Sequence, residues 1–166
     1  MSIITETGTG SATAETYISV TETDTYHAAR GNAPWATITT SQKEQALRRA
    51  TEYMTGAFRN RWQGSRKIAD QALDWPRYDV VVEGWSVDSD IVPEIVKRAT
   101  AELAIRAAAG AMAADLTQGI VREQVGPIAV EYDRNSSQAT RYKAIDQMLL
   151  PFLKAGGGCS VSLVRV

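Results

Sequence analysis

Few side chains in this sequence are equipped for catalysis. There is one histidine, His27, and one cysteine, Cys159. A Ser-His-Asp relay needs its imidazole beside a nucleophile, yet His27 lies in a segment that reads as an amphipathic helix, and no G-x-S-x-G elbow accompanies it. Cys159 follows three glycines and has no histidine partner, so an activated thiol is not expected. One His and one Cys cannot complete a tetrahedral zinc site within a single chain. The run Asp88-Ser89-Asp90 with Glu94 offers carboxylates, but without the spacing and central glycine of a calcium loop, and Asp90 suits a helix start. The glycines at 156–158 trail a helix and precede no Lys-Ser/Thr, unlike a phosphate loop. No enzymatic activity, cofactor or metal is expected.

Binding is a better prospect. "FRNRWQGSRK" (58–67) interleaves Arg59, Arg61, Arg66 and Lys67 with Phe58 and Trp62, the mixture with which single-strand binders hold phosphates and stack bases. The competing reading places Phe58 and Trp62 at the end of a helix, closing the core, with the cations in solvent. "QALDWPR" (71–77) reads as packing or docking: a residue before proline is pushed to extended geometry, and Arg77 brings a planar cation able to pair or stack. Trp75 and Trp85 are either core residues or interface anchors, since Trp and Arg are enriched at hot spots. The terminal "CSVSLVRV", with Cys159, Val161, Leu163, Val164 and Val166, is β-prone and invites edge pairing. It reads as an attachment arm.

The elements that must position these residues are mostly helical. At 166 residues and 44% hydrophobic, the chain suits a single domain, here 1–155, with a flexible N-terminal arm over 1–15 and a flexible extended tail over 156–166. Thr21, with Asp24, is expected to cap a first helix from Glu22 to Arg30. A second starts at Thr40 or Ser41 and carries the stripe Ala46/Leu47, Ala50, Tyr53/Met54 and Ala57/Phe58. A third starts near Asp90, with Pro93 and Glu94 in its first turn, and buries Val92, Val96, Ala99, Leu103, Ala107 and Gly110 over roughly 25 residues, a rod of ~38 Å. A fourth uses Tyr142, Ile145, Leu149 and Phe152/Leu153, and Pro151 should kink or end it. Residues 119–133 read as a β-hairpin about Gly126-Pro127. Between the second and third helices, 59–89 holds three of the four tryptophans without a helical period, and such long irregular stretches are often functional. The fold expected is mainly α: a small bundle of about four helices, one β-hairpin, a long irregular Trp-rich loop and extended termini.

Net charge is −1, from 18 basic and 19 acidic residues, which argues against a dedicated nucleic-acid binder. The N-terminus lacks a signal peptide's basic and apolar regions, and no window approaches a membrane span. A soluble protein made in the cytoplasm is expected.

Taken in order, "YISVTETDTYHAARG", "QALRRATEYM", "RWQGSR", "QALDWPR", "IVPEIVKRATAELA" and "VGPIAVEYD" resemble a family of phage head-tail connector (adaptor) proteins, some of whose members carry the label DnaT-like single-strand-binding protein. The likeness runs from about residue 16 to 153. It implies a structural virion protein at the head-tail interface, assembled as a dodecameric ring below the portal. Such a ring extends the DNA channel, joins the capsid vertex to the tail and takes part in genome packaging and ejection. The implied partners are sister subunits, the portal, tail-side stopper or terminator proteins, and double-stranded DNA passing through the lumen without sequence-specific binding; no membrane is involved. On this reading the tail residues Cys159, Val161, Leu163, Val164 and Val166 dock on the portal, and Trp62, Trp75, Pro76, Arg77 and Trp85 anchor the loop or the subunit interface. The alternative is a DnaT-like single-stranded-DNA-binding module using Arg59, Arg61, Trp62, Arg66 and Lys67.

Overall fold

Helix α1 (Val20–Ala28) begins at a capping box. The Ser19 hydroxyl accepts from the Glu22 amide at 3.2 Å, and the Glu22 carboxylate accepts from the Ser19 amide at 2.9 Å. The helix therefore starts before the expected Thr21 cap, because Glu22 is long enough to reach back to the cap amide whereas Asp24 is a shorter partner. The computed structural model describes residues 2–112 and 141–154, together with the backbone of 122–125 and 128–131. The tail residues Cys159 to Val166 and the Gly126-Pro127 turn lie outside the described residues.

A short helix α2 (Ala33–Ala36), which sequence periodicity is too short to reveal, sets Trp35 into the core. Helix α3 (Thr40–Phe58) starts from a second capping box, Thr39 with Gln42, and buries Ala46, Leu47, Ala50, Thr51, Met54 and Phe58. Helix α4 (Glu94–Ala109) opens behind Pro93 and buries Val96, Ala99, Thr100, Ala101, Leu103, Ala104 and Ala107. It is shorter than the expected rod, ending at Ala109, and Gly110, expected on its buried stripe, is the exposed cap residue. Among the described residues, helices α3 and α4 make the principal helix pair. Alanines on both buried faces permit a close approach, and Thr100 donates its hydroxyl back to the Val96 carbonyl at 2.9 Å, so the polar group is not stranded. Helix α1 is tied across α4 by Tyr26 Oη to Glu102 at 3.1 Å and by His27 Nε2 to the Ala101 carbonyl at 3.1 Å. Helix α5 (Lys143–Leu149) packs on α4 and passes into a 3₁₀ turn, Leu150–Phe152, where Pro151 removes the amide needed to continue.

The strands are short antiparallel pairs. β1 (Ser65–Arg66) pairs with β2 (Arg77–Tyr78), β3 (Val81–Val82) with β4 (Trp85–Ser86), and β5 (Arg122–Val125) with β6 (Ile128–Glu131). The fold is thus mainly helical, as expected, although the stretch read as an irregular loop contains two of these pairs. No described helix is long and apolar enough to cross a membrane.

The N-terminal segment, expected to be a flexible arm, is instead folded onto itself. The Glu6 amide donates to the Thr16 carbonyl at 2.8 Å and the Glu15 amide to the Ile4 carbonyl at 2.8 Å. Glu6 is buried, and its carboxylate accepts the amides of Gly8, Gly10 and Ser11 at 2.8, 3.0 and 2.7 Å. Turn-rich composition suggested mobility, but those same turns aim their amides at one buried carboxyl group, which offsets its desolvation.

Candidate nucleic-acid interface

The segment leaving α3 divides its side chains between core and surface. Trp62 turns inward: it is 1% exposed, its backbone bridges Leu153, and its ring stands between Phe58 at 5.8 Å and Trp75 at 5.6 Å. Trp75 is fully buried and meets Phe152 edge-on at 5.7 Å. These rings form an aromatic column between the end of α3, the Trp75-Pro76 segment and the 3₁₀ turn. The Trp62–Trp75 and Trp75–Phe152 contacts are edge-to-face, an arrangement that stabilises by about 0.5–1.5 kcal/mol each beyond the area buried. Trp62 is therefore unable to stack on a nucleotide base, which corrects its assignment as a nucleic-acid contact.

Pro76 and Arg77 are buried beside it, and the Trp75-Pro76 peptide is cis. The Arg77 guanidinium donates to the carbonyls of Gln63, Asp74 and Gly64 at 2.7, 3.0 and 2.8 Å. Burial pulls its pKa down, although a guanidinium stays charged. Arg77 thus clamps three loop carbonyls and holds β1 against β2.

Each remaining cation of the basic segment has an intramolecular partner. Arg59 Nε lies 3.1 Å from Asp74 Oδ1, and Arg61 Nη1 lies 3.3 Å from Asp146 Oδ1, with its guanidinium 5.0 Å from the Phe58 ring centroid. Arg66 donates to the carbonyls of Gln71 and Ala69 at 3.0 and 2.8 Å. Lys67 donates to the Gly8 carbonyl at 3.0 Å and pairs with Asp90, a hydrogen bond that raises the lysine's pKa. The Arg59 and Arg61 side chains nevertheless stay about half exposed, at 52% and 47%.

Among the described residues the most exposed aromatic group is Trp85, at 80%. It opens β4 immediately after Glu83 (φ 52°) and Gly84 (φ 86°), a pair of left-handed residues typical of a tight two-residue hairpin turn. Cross-strand pairing with Val82 fixes its backbone. Behind it Val80 is fully buried and accepts the Val87 amide at 2.9 Å. Gln63 links this hairpin to the basic segment: its Oε1 accepts the Val81 amide at 3.4 Å, while its Nε2 donates to the Pro151 carbonyl at 2.8 Å. Tyr78 and Val81 are also exposed here, and so are Asp79, Glu83 and Asp88. The sequence pattern placed Trp85 among core residues or interface anchors, and not among the nucleic-acid contacts; the structure shows it exposed. The turn signal was present in "VVVEGWS", where Glu-Gly sits between apolar runs.

A separate cavity of about 410 Å³, lined by Asp24, His27, Asn32, Trp35 and Lys43 among others, lies beside α1 and α2. Its polar groups are engaged with one another: Trp35 Nε1 donates to Asp24 at 2.7 Å, Lys43 pairs with Asp24 at 2.9 Å, and Asn32 meets His27 Nδ1 at 2.9 Å.

A family model described as "Putative DnaT-like ssDNA binding protein" matches residues 1–166. No curated protein and no solved structure matches the chain. The family match overturns the resemblance to head-tail connectors, and the connector function falls with it. The physical reason lies in the motifs that carried it. In Arg-Trp-x-Gly-x-Arg and Leu-x-Trp-Pro-Arg, the residues Trp62, Trp75 and Arg77 are core and loop-clamping groups, and groups of that kind report a fold rather than an activity.

Proposed function

The chain belongs to the DnaT-like ssDNA-binding family, and from that premise we propose that it is a non-catalytic module that binds single-stranded DNA. The observation carrying this reading is the family match along the whole chain. The local chemistry supports it. A single strand exposes base faces that a duplex hides, and an accessible indole such as Trp85 provides a surface for them. Each stacked base contributes about 1–3 kcal/mol in proteins of this type. Arg59 and Arg61 lie on the segment that Gln63 joins to the hairpin, half exposed but each paired with a carboxylate.

The test is fluorescence anisotropy of a labelled oligo(dT) and of a labelled duplex of equal length, at low and moderate salt. Binding of the single strand in preference to the duplex supports the proposal. Equal affinity for both, or no binding of oligo(dT) at low salt, overturns it.

A further inference from the structure

We infer that recognition at this face is carried mainly by stacking of an unpaired base on Trp85, with phosphate neutralisation a minor contribution. The inference rests on the proposed single-strand binding and specifies how it is achieved. Three observations lead to it.

First, the cations are largely committed. Arg66 and Lys67 donate to loop carbonyls, Lys67 also pairs with Asp90, and Arg59 and Arg61 pair with Asp74 and Asp146. A phosphate recruiting Arg59 would draw it from a buried carboxylate, so that recruitment is penalised. Second, the surroundings of the hairpin are acidic. Asp79, Glu83 and Asp88 are exposed within a few residues of Trp85, and they repel a backbone approaching phosphate-first. Third, the indole is presented on a constrained support. The left-handed turn at Glu83-Gly84, the Val82 pairing and the buried Val80 fix the backbone beneath it. Little backbone ordering is then left to occur on binding, which favours affinity. A strand approaching this hairpin gains most by bringing a base to the ring while its phosphates stay in solvent.

The experiment compares oligo(dT) binding by the unaltered chain, Trp85→Ala, Trp85→Phe and Arg61→Ala across a salt series, with an abasic oligomer of equal length as a ligand carrying phosphates alone. Expected are a loss of about ten- to hundredfold for Trp85→Ala, near-retention for Trp85→Phe and a change below about threefold for Arg61→Ala. The slope of log K against log salt should correspond to only about one or two phosphates, near −1. The abasic oligomer should bind poorly. If oligo(dT) binds but Trp85→Ala leaves affinity unchanged, or the abasic oligomer binds equally well, the inference is overturned while single-strand binding stands. If the unaltered chain does not bind oligo(dT), the functional reading itself fails and the inference fails with it.

Discussion

Asp74 is buried with its side chain 1% exposed, and its ion-pair partner, Arg59, stands half in solvent with Nε 3.1 Å from Oδ1. The second carboxylate oxygen, Oδ2, has no hydrogen-bond partner among the described residues. The pair joins the end of α3 to the segment that delivers Trp75 into the core, so a residue that reads as a phosphate contact is also a fastening of the fold.

Removing Arg59 is therefore expected to cost stability. Breaking a fully buried pair costs about 3–5 kcal/mol, and because Arg59 is half exposed about 2 kcal/mol is the better expectation. Urea unfolding of Arg59→Ala should show the midpoint fall. Arg59→Ala/Asp74→Asn should recover part of the loss, since a neutral amide is less costly to leave buried. An unchanged midpoint for the single variant would show that the pair is not a fastening.

Two tryptophans in the same stretch should behave oppositely. Trp75→Ala opens a cavity in the aromatic column and is expected to destabilise by about 3–5 kcal/mol. Trp85→Ala, at a site 80% exposed, should stay within about 0.5 kcal/mol. Thermal unfolding followed by near-UV circular dichroism distinguishes them. Comparable losses in both variants would contradict the burial described.

The turns allow a similar contrast. Gly64 has φ +60°, and a Cβ added there would lie 1.8 Å from the Tyr78 carbonyl oxygen. Gly64→Ala should therefore disrupt the β1–β2 pairing, with losses above about 3 kcal/mol, since both backbone strain and a backbone clash oppose it. Gly84, at φ +86° with nothing within 4 Å of the added Cβ, incurs the strain alone. Gly84→Ala should cost only about 1–2 kcal/mol. Denaturant midpoints of the two variants check the order, and the reverse order would refute the close approach at Gly64.

How legible all this was in the sequence differs by the range of the interaction concerned. The α3 stripe from Ala46 to Phe58 and the stop at Pro151 were readable because period and proline chemistry act locally. The start of α1 was misplaced by a choice between neighbouring caps, which only side-chain reach decides. Glu6 looked like part of a mobile arm because nothing local shows that its carboxylate will gather the amides of Gly8, Gly10 and Ser11. Trp62 and Trp85 show the limit most clearly. Both are tryptophans in one irregular segment, and their opposite fates depend on contacts with Leu153 and on the Glu83-Gly84 turn. The candidate site was legible in its residue types, but which residues face solvent was set by tertiary packing.

His27 supplies a pH test of the core. Its Nε2 must donate to the Ala101 carbonyl, which can only accept, so the neutral ring offers Nδ1 as acceptor to the Asn32 amide. Protonation would place a second N–H against that amide donor. Burial holds the His27 pKa below its ordinary value of 6.5; Arg30 pushes in the same direction, while the Ala101 hydrogen bond, Glu102 and Asp24 oppose it without prevailing. The unfolded chain therefore takes up this proton at a higher pH than the folded one, and unfolding is favoured as protons are added. The stability linked to His27 is complete above about pH 6.5 and declines as pH falls below it, by at most about 1.4 kcal/mol per pH unit. Urea midpoints measured from pH 8 to pH 5 should fall at the acid end. In His27→Gln, which keeps a neutral polar group in place, the fall should be smaller. Glu15 and Glu22, whose carboxyls are held below their usual range by Arg48 and Ser19 respectively, contribute their own acid loss at lower pH in both proteins. Parallel pH profiles for the two proteins would mean that His27 is not the group responsible.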